Sequence, residues 1–167
     1  MSDDEPIGAH SYTTLLEQLT ALQDVGDFKG IIGLECEARE TACIVRSEAP
    51  GHAAALLKCL GVAFCSLNHL HKAIGLFEQV QSIAQELGIR SEEGRAAANI
   101  GVCCISLGQY ARAVELLEYR LLIARELGDT DGEGKACQNL SVCFQSLGQF
   151  DRAIAMIEVC VCLRISM

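Results

Sequence analysis

Cysteine is the residue type in this sequence that could take part in the most kinds of chemistry, because a thiolate can bind zinc, attack carbon or form a disulfide. The chain of 167 residues contains ten: Cys36, Cys43, Cys59, Cys65, Cys103, Cys104, Cys137, Cys143, Cys160 and Cys162. No pair has C-x-x-C spacing, and no histidine lies near the last four, so zinc-site spacing is missing. Most have apolar neighbours in helical patterns. We therefore expect small, buried, reduced side chains; the alternative is a metal or redox role, as in a thiol-based enzyme or sensor.

Other patterns that could do chemistry are weak. His69 and His71 are two residues apart at a predicted turn, so they do not share a helix face. The stretch "GDTDGEG" (residues 128–134) resembles part of a calcium loop, but the glutamate and glycine positions of that loop are absent. Phosphate-binding loops and catalytic serine motifs are also missing. We predict no metal, no cofactor and no enzymatic activity.

Two polar pairs are better candidates for binding a partner. Arg95 and Asn99 are four residues apart, on one face of a predicted helix, and Lys135 and Asn139 repeat this pair. An asparagine amide can both donate to and accept from a peptide backbone, and a cation suits a carboxylate. The alternative is structural: the cations balance nearby glutamates, and the amides bond neighbouring helix backbones.

A 40-residue repeat provides the elements that would position these pairs. "SLGQYARAVELLE" (residues 106–118) recurs as "SLGQFDRAIAMIE" (residues 146–158), and "SLNHLHKAIGLFE" (residues 66–78) falls in the same frame. A weaker copy, "LQDVGDFKGIIGLECEA" (residues 22–38), places Gly26 at an interval of 42 before Asn68. Repetition at a fixed period of this length is typical of a solenoid.

Each repeat predicts two helices. In the third copy they run over about 93–107 and 109–127, with Gly108 as the break and Gly128 as the C-terminal stop. Neither helix can bury its apolar face alone, so the repeats must stack. The predicted fold class is an all-α, α–α superhelix of about three and a half helix-turn-helix repeats. Its predicted segments are a disordered acidic tail at 1–11 and repeats at 12–50, 52–90, 92–130 and 132–167, the last one truncated.

The repeats resemble the tetratricopeptide family. A small residue expected between the two helices is Gly61, Gly101 or Ser141, and the alanine of the second helix is Ala73, Ala113 or Ala153. The large apolar residue four positions later is Phe77, Leu117 or Ile157. The usual tryptophan and closing proline are missing. The longer period and phrases such as "LLIARELGD" are similar to the repeats of LGN/Pins spindle-orientation adaptors, with a weaker likeness to kinesin light chain.

The resemblance implies a concave groove lined by the first helix of each repeat, in which partners bind as extended or helical segments. In family members that clamp a carboxylate, ligand contacts come from positions that match Arg95, Asn99, Lys135 and Asn139. The preceding repeat departs from this pattern with Ala55 and Cys59, so only a short positive stripe is predicted. The resemblance to the LGN type adds Arg120 as a further groove residue.

Composition limits the remaining functions. The formal net charge of −9 argues against nucleic-acid binding. Apolar runs are too short to span a bilayer, and the acidic start "MSDDEP" is unlike a secretory signal. We therefore expect a cytoplasmic protein that binds neither nucleic acid nor membrane.

The leading hypothesis is a non-catalytic scaffold or adaptor that binds a protein or peptide partner, expected to be acidic, in the groove. The alternative is self-association or intramolecular scaffolding. The apolar end "IAMIEVCVCLRISM" (residues 154–167) has no polar cap, so it would pair with another copy, or the sequence would be part of a longer protein.

Overall fold

The computed structural model describes residues 9–165, which form nine helices and no strand. Residues 1–8 of the predicted acidic tail lie outside this range, and the first helix begins at Ala9. In order, the helices are α1 (Ala9–Asp24), α2 (Phe28–Gly33), α3 (Glu35–Val45), α4 (Pro50–Ser66), α5 (Leu70–Glu86), α6 (Arg90–Ser106), α7 (Tyr110–Leu127), α8 (Thr130–Ser146) and α9 (Phe150–Ile165). The predicted all-α class is confirmed. The predicted helix at 93–107 is α6, which begins three residues earlier, at Arg90.

The turn inside each repeat depends on one residue with a left-handed backbone. Gly26, Gly108 and Gly148 have φ of 73°, 73° and 72°. In the second repeat the same place is taken by Asn68, with φ of 62°, because asparagine tolerates this conformation better than other side chains. The sequence alignment at this position therefore reflects one backbone geometry repeated four times.

The described helices fall into two units, Met1–Ile83 and Ala84–Met167, and α5 crosses the boundary. In the second unit α6 packs on α7, α7 on α8 and α8 on α9, and α6 also touches α8. These are two successive helical hairpins, in which the first helices, α6 and α8, are neighbours. The buried alanines Ala113 and Ala153 lie where the repeat predicted them.

In the first unit α4 is the central helix, and α1, α2 and α3 all pack against it. The second helix of the weak first repeat is broken into α2 and α3 around Leu34. Asp27 caps α2 by accepting a hydrogen bond from the backbone N–H of Gly30 at 2.9 Å. This break distinguishes the first repeat from the other three, whose second helices are continuous.

Close packing of a glycine against a large side chain joins the two helices of a repeat. A Cβ atom placed on Gly61 would lie 2.6 Å from the ring of Phe77, and one on Gly101 would lie 3.1 Å from Leu117. Phe77 and Leu117 are fully buried. The prediction that a small residue sits between the helices is confirmed at both places. The third small residue, Ser141, is also buried, but the large apolar residue predicted opposite it, Ile157 on α9, is 43% exposed.

Six of the ten cysteines are buried, as predicted from their apolar neighbours. Burial raises the pKa of the Cys59, Cys137 and Cys143 thiols, which disfavours the reactive thiolate. The expectation was wrong for Cys36, Cys43 and Cys162, which are exposed. Within residues 9–165, no helix combines the length and apolar character needed to span a membrane.

Two glycine-to-alanine substitutions should have opposite effects on stability. Gly61→Ala forces a methyl group against Phe77, so we expect the free energy of unfolding to fall by about 1–3 kcal/mol. Gly75→Ala is the matched control on α5, where no atom lies within 4 Å of the added Cβ. It should raise stability by roughly 0.5–1 kcal/mol through helix propensity. Urea denaturation followed by circular dichroism measures both, and an equal loss in the two variants would contradict the packing described.

Candidate functional site

The two predicted polar pairs lie on neighbouring helices of the second unit. Arg95 and Asn99 are on α6, and Lys135 and Asn139 are on α8 at the corresponding positions of the next repeat. Since α6 touches α8, the two pairs lie on adjacent helices. We call these four residues the polar face.

The cations of the polar face are exposed, and each forms an ion pair within its own helix. Arg95 is 60% exposed and pairs with Glu92 at 2.8 Å, and Lys135 is 72% exposed and pairs with Asp131 at 2.6 Å. Exposed pairs of this kind contribute little to stability. A partner's carboxylate can therefore compete for either cation.

The amides of the polar face are half-buried. Neither the Asn99 nor the Asn139 side chain has a hydrogen bond to another described residue. The structure therefore shows the pairing with Glu92 that the structural alternative expects for Arg95, but no bond from either amide to a neighbouring helix backbone.

Arg120 is placed differently from the other predicted site residues. Its side chain is only 6% exposed, and its guanidinium forms an ion pair with Asp129, the N-cap residue of α8. One guanidinium nitrogen, Nη1, is buried without a hydrogen-bond partner. Nη1 lies near Gly94 of α6. The other terminal nitrogen, Nη2, lies so close to Gly132 of α8 that a side chain at position 132 would overlap it. Arg120 thus joins α6, α7 and α8 from inside the unit and presents little surface to a partner.

Asp129 links the buried arginine to the polar face. Its carboxylate accepts a hydrogen bond from the Gly132 backbone N–H at 2.8 Å, and this bond, followed by the ion pair with Arg120, lowers its pKa. The charge of Arg95 acts in the same direction. Arg95 therefore lies within electrostatic range of the N-terminus of α8, which itself carries positive partial charge.

Glu93 is a buried acid whose structural role was not predicted from the sequence. Glu93 is 5% exposed and accepts hydrogen bonds from Tyr119, from Gln85 at 2.8 Å and from Arg90 at 2.7 Å. Burial raises its pKa, but these donors outweigh burial, so the net shift is downward. Arg90 also pairs with Glu126 at 2.8 Å, which extends the network to the end of α7.

The same type of link recurs one repeat later. Arg125 at the end of α7 binds Glu133 of α8 at 2.6 Å, and these positions are 40 residues beyond Gln85 and Glu93. A side chain near the end of one repeat thus binds an acid near the start of the next. The sequence signal was present in the aligned "EEG" and "GEG" segments, but only side-chain geometry shows what the glutamates bind.

No cluster of three or more histidine, cysteine, aspartate or glutamate side chains that could hold a metal ion occurs among residues 9–165. The polar face instead combines exposed cations with unbonded amides. These groups suit an anionic or peptide ligand.

The family comparison agrees with the repeat. Models described as tetratricopeptide repeat match residues 96–130 and residues 134–161. These two segments therefore match the tetratricopeptide repeat. Such repeats are in general non-catalytic scaffolds for protein–protein interaction, and this general class is what the matches support. A search of curated proteins found no match.

Solved structures of the same type are similar over most of the chain. BtubC (BKLC) from P. vanneervenii has a TM-score of 0.80 and 22% identity, over 93% of this chain and 65% of that one. A putative kinesin light chain with tetratricopeptide-like repeats from Podosopora anserina has a TM-score of 0.74 and 19% identity, over 98% and 78%. The tetratricopeptide domain of Arabidopsis FLU has a TM-score of 0.65 and 21% identity, over 68% and 96%.

At these identities the likeness shows the fold alone. It confirms the predicted tetratricopeptide solenoid class and includes kinesin-light-chain-like repeats, as the resemblance implied. These matches do not show the likeness to the LGN/Pins adaptors, which stays a prediction.

Removing the charge of Glu93 should give a pH-dependent loss of stability. Because its pKa is lower in the folded state, the ionised carboxylate stabilises the fold above the unfolded-state pKa of about 4.3, and this stabilisation is lost as pH falls through the folded-state pKa. Glu93→Gln should therefore lower the free energy of unfolding by roughly 1–2 kcal/mol at pH 7. The deficit should shrink between about pH 5 and pH 3.

The measurement is urea denaturation of both proteins at several pH values. Glu115→Gln, at an exposed position on α7, is the matched control and should show little deficit at any pH. A Glu93→Gln deficit that is constant down to pH 3 would contradict the role of the ionised carboxylate.

Proposed function

We propose that this protein is an interaction scaffold whose polar face binds an acidic segment of a protein partner, extended or helical. The observation that carries the proposal is the recurrence of an exposed cation and an unbonded amide at the same positions of two neighbouring helices. Such an arrangement offers a carboxylate contact and a backbone contact in each repeat.

Arg120 has a positioning role in this proposal. Since it is buried and paired with Asp129, it fixes the N-terminus of α8 relative to α6 and so sets the spacing of Arg95 and Lys135. Location in the cytoplasm, and the absence of nucleic-acid and membrane partners, remain predictions from the sequence.

Reversing both cations of the polar face tests the proposal. We expect Arg95→Glu with Lys135→Glu to weaken binding of a fluorescein-labelled octaglutamate peptide by roughly tenfold, or about 1.4 kcal/mol, in fluorescence anisotropy at low salt. Helicity should not change, because both side chains are exposed.

The matched control is Arg112→Glu with Arg152→Glu, which changes net charge equally at exposed positions of α7 and α9. An equal loss of affinity in both double variants would assign the binding to net charge alone. Unchanged affinity in Arg95→Glu with Lys135→Glu would rule out the polar face as the site.

A second candidate function is self-association through α9. One stripe of this helix is exposed, with Ile154 at 54% and Ile157 and Val161 at 43% each. The corresponding residues of α7 include Leu117 and Leu121, which are buried in a unit where α8 packs on α7. The exposed stripe of α9 is thus apolar at positions where the corresponding residues of α7 are buried.

Light scattering across a concentration series tests this candidate. If α9 pairs with a second copy, the apparent mass should rise with concentration, and Ile154→Glu with Val161→Glu should give a monomer throughout. The control is Leu122→Glu with Leu127→Glu, which alters two exposed leucines of α7. A wild-type mass that stays monomeric at all concentrations would eliminate the candidate.

A further inference from the structure

The first unit contains a cavity of about 170 Å³ that the proposed function does not use. Arg39 and Cys43 of α3 line it together with Arg46, the C-cap residue of that helix. Leu57 of α4 and Ile83 of α5 contribute apolar surface, and Gln79 of α5 contributes an amide. Two guanidiniums therefore lie beside a partly apolar recess that is open to solvent.

The repeat pattern differs at the junction where this recess lies. In the repeat alignment Cys43 corresponds to Gln85 and Arg125, and Ala53 corresponds to Glu93 and Glu133. At the two later junctions these positions hold hydrogen-bonded pairs, Gln85 with Glu93 and Arg125 with Glu133. At the first junction both are replaced by short side chains, so the polar link and its carboxylate are missing.

The charged side chains that line the recess are both cations. None of the described residues that line it is acidic. Arg39 pairs with Glu35 at 3.0 Å, but Lys72 also lies 3.8 Å from that carboxylate, so one acid is shared by two cations. Arg46 also interacts with another described residue. A guanidinium has five N–H donors, so one that binds a carboxylate on one edge retains donors for a second.

We propose that this recess binds an anionic side chain of a partner polypeptide, with Arg39 and Arg46 as its ligands. Leu57 and Ile83 contact the aliphatic part of the ligand, and the Gln79 amide is a further donor. The site lies on the first unit and shares no residue with the polar face, so it does not rest on the function proposed above.

Cys43 gives the site a reporter, because it is an exposed residue that lines the recess together with the two arginines. Iodoacetamide labelling of the full chain, followed by tandem mass spectrometry, measures the reaction rate of Cys43 in the presence of acetyl-diglutamate amide. Acetyl-diglutamine amide is the neutral match, and acetyl-phosphoserine amide distinguishes a phosphate from a carboxylate source. Cys36, exposed on the same helix outside the recess, is the internal control.

We expect an anionic probe to slow labelling of Cys43 roughly twofold when its concentration equals the dissociation constant. The neutral probe should have no effect, and Cys36 should react at one rate in all samples. Arg39→Gln with Arg46→Gln should abolish the protection while circular dichroism stays unchanged, since Arg46 and Arg39 are at the surface.

Two results would overturn the proposal. One is labelling of Cys43 that neither anionic probe slows at saturating concentration. The other is protection that persists in the Arg39→Gln, Arg46→Gln variant, because the anion would then bind elsewhere. Binding of octaglutamate at the polar face is measured separately by the Arg95 and Lys135 variants, so failure of one proposal is distinguishable from failure of the other.

Discussion

The structure depends on the close approach of the two helices in the second and in the third repeat, where a small residue faces a large apolar one. Gly61 against Phe77 and Gly101 against Leu117 leave no room for an added Cβ atom without movement. This contact sets the distance between the helices of a hairpin and so determines which side chains turn inward. Once it is fixed, the apolar faces on both sides must be covered by neighbouring helices, because a single hairpin leaves much of its apolar surface in water.

Polar links then determine how one repeat follows the next. Gln85 with Glu93 and Arg125 with Glu133 join the end of one repeat to the start of the following one, and Arg120 with Asp129 adds a buried ion pair. Their acids are partly or fully removed from water, so removing one partner costs more than the loss of a surface pair. The first junction lacks its link, and a recess flanked by arginines is found there instead. Variation between repeats thus gives them different surfaces.

Both functional proposals are based on exposed side chains of the second unit, those of the polar face and those of the α9 stripe. The cations of the polar face have only weak intrahelical partners, and its amides are unbonded. The α9 stripe is apolar and open where the matching surface of α7 is buried. Both are properties of repeats whose fold is common to proteins of only 15–22% identity, so the surface side chains, and not the fold, must specify any partner.

The sequence by itself determined the helices, their turns and the repeat, because 3.6-residue periodicity and left-handed glycines such as Gly108 are local properties. It also placed Arg95, Asn99, Lys135 and Asn139 on corresponding helix faces. It could not show that Arg120 is buried, or that Glu93 accepts hydrogen bonds from three side chains. It also could not show that Cys43 of α3 lines a recess. Those outcomes depend on which side chains from separate helices meet, and such distances are decided by tertiary packing, which the order of residues along one helix does not contain.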